Sequence, residues 1–378
     1  AFDLLGLDIV MGEREGSWFH DAYDPDRRYL NCHCNGGVFN LGHRNPRVAG
    51  AVRAAMDHLD IGNHHLVSGW RAELARRLAA TTGDHLSGVV FGVAGGEAVD
   101  LALKVARAHT GRSGIVSAAG GYHGHTGLAM ATGDPEYRDP FGPNLPGFSQ
   151  VPFGDLDAIA AAVDDETAAV ILETIPATLG MPMPTPGYLR EVEALCRDLG
   201  AVFVLDEVQT GLGRTGRFWG YEHEGVEPDV VVTAKGLSGG IYPITATLMT
   251  AELHAFFELH PFSHISTAGG AELGCVAALA VLDAIEAPGF LDRVEHVGAR
   301  IEAGLADLDL EVRRRGLFTG LAFDDPDGGI EATAKVIAEG VFAIFANNDR
   351  SVLQLLPPLT IADEEVDWLL DRLHRALG

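Results

Sequence analysis

The sequence predicts an α/β fold, with a large domain built on a mainly parallel sheet and a smaller α+β domain. Three observations carry that prediction. Short runs such as "AAVILET" (168–174), "GAVFVLDE" (200–207) and "DVVVTAK" (229–235) are β-branched and apolar at successive positions, which suits strands covered on both faces. Stretches with helical periodicity separate them, as βα units require. Beyond Cys275 that alternation gives way to longer helices and short strand-like pieces.

Taken in order, "PRVAGAVRAAMDHLD" (46–60) and "RAELARRLAATTG" (71–83) read as helices, the second closed by Gly83. "GVVFGV" (88–93) reads as a strand feeding the helix "GEAVDLALKVARAHTGR" (96–112), and "SGIVSA" (113–118) as the next strand. The Pro-rich "GMPMPTPGYL" (180–189) is a loop, and "GYLREVEALCRDLG" (187–200) a helix between two central strands. After Cys275, "GCVAALAVLDAIEA" (274–287), "RVEHVGARIEAGLADL" (293–308), "TAKVIAEGVFAIFAN" (333–347) and "DEEVDWLLDRLHRAL" (363–377) read as helices. Between them "EVRRRGLFTGLAF" (311–323) reads as short strands. The expected domains are 42–275 for the large one, and 1–41 with 276–378 for the small one.

The chain of 378 residues carries a net charge of −26, which disfavours nucleic acid and anionic membrane surfaces as partners. No segment is long and apolar enough to span a bilayer. The four cysteines, Cys32, Cys34, Cys196 and Cys275, are scattered. "NCHCNGG" places His33 between two of them, but a structural metal site usually needs a second ligand pair, so no metal is expected. A reducing cytoplasm is the expected location.

Two motifs compete for the function. "GLGRTG" (211–216) matches a dinucleotide-binding fingerprint and follows a strand. The stretch after it, "RFWGYEHEGVEPD", has no helical period to hold a pyrophosphate, and Asp229 begins a strand rather than ending one. The nicotinamide reading is therefore rejected. The other motif is a pair: Asp206 and Lys235 each stand at the carboxyl end of a predicted strand, where open α/β sheets bind ligands. One reading is a buried ion pair. The other is a cofactor with a cationic ring nitrogen and an aldehyde, both of which pyridoxal 5'-phosphate has. Its phosphate would need backbone donors, and "FGVAGGEAVDLALKVAR" offers Gly95 and Gly96 at a helix N-terminus. Tyr122 and His123 in "GYHGHTG" could flank a ring or belong to the core.

The sequence resembles the class III aminotransferases, of the fold-type I pyridoxal-phosphate enzymes. The matching stretches are "YLNCHCNGGVFNLGHRNPRV", "FGVAGGEAVDLALKVAR", "GYHGHTG", "LDEVQTGLGRTG", "TAKGLSGGIYP", "HISTAGGAELGCVAAL" and "LLPPLTIADEEVD". They run in the family's order and cover almost the whole chain. The resemblance implies a homodimeric enzyme with shared active sites, acting on small amine and carbonyl substrates. Lys235 would form a Schiff base with the cofactor and carry the proton, and Asp206 would bind the ring nitrogen. Val208 and Tyr122 would pack on the two ring faces, with His123 beside them. Gln209 would lie near the ring hydroxyl, and Gly95 and Gly96 would hold the phosphate. Thr267 would reach the phosphate of the neighbouring subunit, and Glu173 would support the site from behind.

Three departures stand out: "AGG" in the phosphate loop, "ETIPATLGMP" beside the site, and Gln354 where many members carry the Arg that clamps a substrate α-carboxylate. Arg138 and Arg214 are candidate replacements. An aminotransferase is the leading expectation. A lyase, decarboxylase or carbon–carbon bond-forming enzyme on the same scaffold is the alternative, and a non-catalytic relative is a third.

Overall fold

The computed structural model describes residues 7–378. Near the N-terminus three antiparallel strands form, β1 (Met11–Glu15), β2 (Trp18–Asp21) and β3 (Arg28–Asn31). Then come helices α1 (Pro46–Ala55) and α2 (Gly69–Ala80). Asn45 caps α1 by accepting from the N–H groups of Arg47 and Val48, and Pro46 sits at the first helical position, where its missing N–H costs nothing.

The large sheet has seven strands: β4 (Gly88–Gly92), β5 (Gly114–Ala118), β6 (Phe148–Val151), β7 (Thr167–Glu173), β8 (Val202–Asp206), β9 (Val230–Thr233) and β10 (Thr245–Met249). Their spatial order is β4-β10-β9-β8-β7-β5-β6, with only β10 antiparallel to its neighbours. Helix α3 (Gly95–Thr110) follows β4 and ends on left-handed Gly111; α4 (Tyr188–Leu199) ends the same way on Gly200. Every residue of β7, β8, β9 and β10 is buried, as strands covered by helices on both faces must be. In register, Glu173 of β7 pairs with Asp206 of β8, so two carboxylates share one sheet edge.

Helix α5 (Glu272–Ile285) packs into the large-domain core with α1, so the change of core falls after Ile285 rather than at Cys275. The second core begins at α6 (Phe290–Gly304) and includes Leu30 and Cys32 from the N-terminal segment. It is built on β11 (Glu311–Arg315), β12 (Phe318–Ala322), α7 (Gly328–Ala338), β13 (Val341–Phe342), β14 (Ile344–Ala346), β15 (Asp349–Leu355) and α8 (Asp363–Leu377). Strand β13 pairs in parallel with β3, tying the two ends of the chain into one sheet. The first six residues of the expected 1–41 segment lie outside the described residues.

One helix expectation fails. The 333–347 stretch is helical only to Ala338; Gly340 then takes φ 86°, and β13 and β14 follow. "VFAIFA" is β-branched and aromatic enough to pair as strand once glycine has ended the helix. The 211–216 loop is a series of turns leading to a short 3₁₀ segment (Gly220–His223), not a helix. Asp229 accepts from the Phe203 N–H at 2.8 Å, a structural bond between neighbouring strands.

Candidate active site

The carboxyl ends of β7, β8 and β9 open into a cavity of about 410 Å³. Asp206, Lys235, Glu173, Tyr122 and His123 all line it, as do Gly95, Gly96, Val208 and Gln209. Of the cofactor residues expected from the sequence, Thr267 alone does not: it lies exposed on the loop before α5. That loop is anchored to the large domain, since Arg71 lies within 3.5 Å of the Gly270 carbonyl.

Asp206 is buried and doubly bonded. Its Oδ2 pairs with His123 Nδ1 at 2.8 Å, and its Oδ1 accepts from the Val208 N–H at 3.0 Å. Burial lowers the His123 pKa, but the bond to Asp206 and the charge of Asp206 outweigh it, so the net direction is up. His123 Nε2 is buried and has no partner.

Lys235 faces this pair. It is one of only three lysines in the chain, and the other two, Lys104 and Lys335, are exposed on α3 and α7. Burial pushes its ammonium down to about 8, while Asp206 and Glu173 pull it back up. Gln209 accepts from Lys235 Nζ at 3.1 Å and donates to the Gly36 carbonyl at 3.1 Å. Gly36 has φ 65°, and a side chain there would come within 3.1 Å of Lys235 Nζ. The 34–37 turn, four consecutive residues with positive φ, thus lies directly against the amine. Its sequence raises a metal motif and matches the resembled family, but neither signal places it against Lys235. Among the described residues no group of three His, Cys, Asp or Glu side chains is placed to hold a metal. His33 is neutral near pH 7, because burial and then Lys235 push it down to about 4.

Glu207, beside Asp206, has a different role. It accepts from Thr174 and Thr210 hydroxyls and from the N–H groups of Gly220 and Tyr221. Burial pushes its carboxyl up to about 7 against those four donors. It pins the glycine-rich loop under the sheet edge. Glu173, also raised to about 7 by burial, accepts from the Tyr122 N–H at 2.9 Å and the Ala177 N–H at 3.2 Å.

The structure fits pyridoxal phosphate. At the N-terminus of α3 no side chain caps the first turn, leaving backbone donors for an anion. Thr245 Oγ1, on the cavity wall, is buried without a partner. The buried Asp206 carboxylate suits a cationic ring nitrogen, and Lys235 suits an aldehyde.

The comparisons decide the family. The model of "Aminotransferase class-III" matches residues 6–377. The chain belongs to the class III aminotransferases. It is a pyridoxal-phosphate-dependent aminotransferase of fold type I. An uncharacterized aminotransferase of Archaeoglobus fulgidus is 50% identical over 100% of this chain and 90% of its own. The ornithine aminotransferase of Toxoplasma gondii superposes with a TM-score of 0.91 at 27% identity, covering 98% of this chain and 90% of that one. An (S)-enantioselective ω-transaminase of Thermomicrobium roseum gives 0.88 at 28% identity, covering 97% and 92%. The match favours transamination over the lyase alternative.

Sequence reasoning missed most of the cavity's outer wall. Val38, Phe39, Ile241, Tyr242 and Ile244 line it. They stand in loops and at a strand start with no periodic signal, so only the fold brings them together. The three side chains weighed for carboxylate binding are all occupied elsewhere. Gln354 is buried and donates to the Ala177 carbonyl at 3.0 Å. Arg214 is fully buried and donates to the carbonyls of Leu317 and Pro357 and to Asn40 Oδ1. Arg138 donates to the Gly133 carbonyl. None of the three lines the cavity.

Proposed function

We propose that Lys235 carries the cofactor and moves the substrate proton, while Asp206 supplies the charge opposite the ring nitrogen. The observation that carries this reading is their meeting at neighbouring strand ends in one cavity, with Lys235 the only lysine there. When bound, pyridoxal phosphate supplies the carbonyl that takes the amino group and a ring that accepts electron density. The chain's part is to orient and to transfer protons. A lysine held near neutrality by burial is poised to take the α-proton and return it. His123 holds the Asp206 carboxylate in place, and Val208 and Tyr122 supply walls on the two sides of the cavity. The α3 N-terminus and Thr245 suit the phosphate.

The substrate reading rests on what the cavity lacks. Among the described residues of the chain no guanidinium lines it, and Val38, Phe39, Ile241 and Ile244 give it a largely apolar wall. A carboxylate clamp supplies two charge-assisted hydrogen bonds of about 1.5–3 kcal/mol each. Without it, glutamate loses about 100-fold or more at about 1.4 kcal/mol per tenfold. The preferred donor is therefore an amine without an α-carboxylate. Mixing holoenzyme with single amines and following the visible spectrum tests this. An apolar amine should convert the cofactor about 100-fold faster than glutamate at equal concentration; glutamate as the fastest donor would refute the reading.

Thr267 enters through a second copy of the chain. Val67 is fully exposed, Leu66 and Trp70 are exposed in the same segment, and Phe262 and Ile265 are exposed in a second segment, the two being linked where the Glu272 N–H meets the Ile61 carbonyl. A patch of this kind on a soluble enzyme supports an interface, and closed two-fold dimers are the commonest oligomer. A dimer through this face would bring Thr267 to the partner's phosphate site. Light scattering should give twice the 40.1 kDa chain mass, and a Val67→Asp variant should shift toward the monomer and lose activity with it. Full activity in a monomer would overturn this. The four free, buried cysteines suit a reducing cytoplasm.

A further inference from the structure

One loop joins the small domain to the cavity. Residues 174–181 leave β7 and run between the two cores. Ile175, Ala177 and Met181 bury against Phe318 of β12 and Leu356 just past β15. Arg313 of β11 donates to the Gly180 carbonyl at 2.9 Å.

Within that loop Ala177 is held at both of its backbone groups. Its N–H donates to Glu173 Oε2 at 3.2 Å, and its carbonyl accepts from Gln354 Nε2 of β15 at 3.0 Å. The other oxygen of Glu173 takes the Tyr122 N–H at 2.9 Å. A second route runs beside the first. The Gly120 carbonyl accepts from Thr178 Oγ1 at 3.0 Å and from Asn348 Nδ2 at 2.9 Å. Asn348 also donates its N–H to the Thr178 carbonyl at 2.9 Å and accepts from the Tyr137 hydroxyl at 2.7 Å. Both routes end on the Gly120–Tyr122 turn, which carries one aromatic wall of the cavity.

We propose that Gln354 and Asn348 are positioning residues that couple the small-domain sheet to Tyr122, through Ala177 and Glu173 on one route and Gly120 on the other. The position of the small domain thereby sets the position of that wall. The physical basis is satisfaction of buried polar groups. A carbonyl such as that of Ala177 that loses its only donor is left unpaired out of reach of water, which costs more than a hydrogen bond contributes when made. The loop therefore cannot shift alone: a movement of β15 must carry Ala177, and Ala177 must carry the Glu173 carboxylate that fixes the Tyr122 backbone. Gln354 thus has work inside the protein, beyond the absence of a carboxylate clamp.

Amide hydrogen exchange on the holoenzyme tests the coupling. Gln354→Met keeps the length and removes the donor. Exchange should rise about tenfold in the segment 120–123, the factor that one hydrogen bond near 1.4 kcal/mol represents. It should stay unchanged in the core strand β8. The visible circular dichroism of the bound cofactor should fall relative to its absorbance, because the wall that makes its surroundings asymmetric has loosened. A merely structural role would move neither of these local signals. If Gln354→Met does not fold, Asn348→Asp, which keeps the acceptor for Tyr137 and loses the donor to Gly120, should give the same pattern. Faster exchange confined to 174–181, with 120–123 protected as in wild type and the dichroism intact, would overturn the proposal.

Discussion

Replacing Lys235 by Ala should lower turnover by about 10⁴-fold and remove the visible band of the lysine-linked cofactor, while the chain still folds. The case rests on exclusivity. With Lys104 and Lys335 exposed on other faces, no second lysine can substitute. Borohydride reduction followed by peptide mapping should therefore place the cofactor on a single peptide in wild type and on none in the variant. Alanine is the clean replacement, because Lys235 has φ 40° and glycine would also relax the backbone. Folding should survive for an electrostatic reason. The folded-state pKa of Lys235, about 8, lies below the ordinary 10.5. Below about pH 8 the unfolded chain holds this proton more readily, so the buried ammonium costs the folded apoenzyme stability. That cost fades as pH rises from about 8 to 10.5. Thermal unfolding of the apo forms should thus show the variant gaining most on wild type near neutral pH and losing that advantage toward pH 10.5. A persistent band and unchanged trapping in Lys235→Ala would sink the assignment.

The same physics explains what could be read from the sequence. The strands that end in Glu173 and Asp206, and the one that leads into Lys235, are covered on both faces, so their apolar runs stop abruptly where polar chemistry begins. That discontinuity marks the strand ends without any structure. Glu207 was visible as a second carboxylate, but its four donors come from Thr174, Thr210 and the 220–221 backbone, whose nearness is a property of the fold. The 340–346 strands were hidden because their apolar residues continue the preceding helix without a change of composition, and only Gly340 marks the break. Strand β10 was hidden because Thr245 and Thr247 interrupt the apolar run of "TATLM", and because it lies against β9 in the opposite direction, which no local pattern announces. Gln354 could be seen as a departure from the resembled family, yet its bond to Ala177 spans 177 positions of sequence separation.

Asp206→Asn should reduce turnover on the order of 10³-fold while the cofactor stays bound. The variant is nearly isosteric, and the local bonds have a way to survive it. Asn can keep its carbonyl on the Val208 N–H, where Asp206 now accepts at 3.0 Å. Its amide would face His123 Nδ1, and the imidazole can accept there by carrying its proton on Nε2, the ring nitrogen that is unpartnered in the structure. What cannot survive is the charge. An opposite charge within hydrogen-bonding range typically raises the pKa of a cationic partner by about 1–3 units. Losing it leaves a ring nitrogen mostly unprotonated near neutrality, so the chemistry slows although Lys235 and the phosphate contacts remain. Two measurements separate these effects. Absorbance after dialysis should show retained cofactor, and single-turnover mixing with an amine should show the slowed step. His123 supplies an internal check: without the Asp206 charge, burial is opposed only by the smaller pull of Glu173, so its pKa should fall from its raised position. A variant that keeps both its cofactor and the wild-type single-turnover rate would leave Asp206 as a structural anchor for His123 and nothing more.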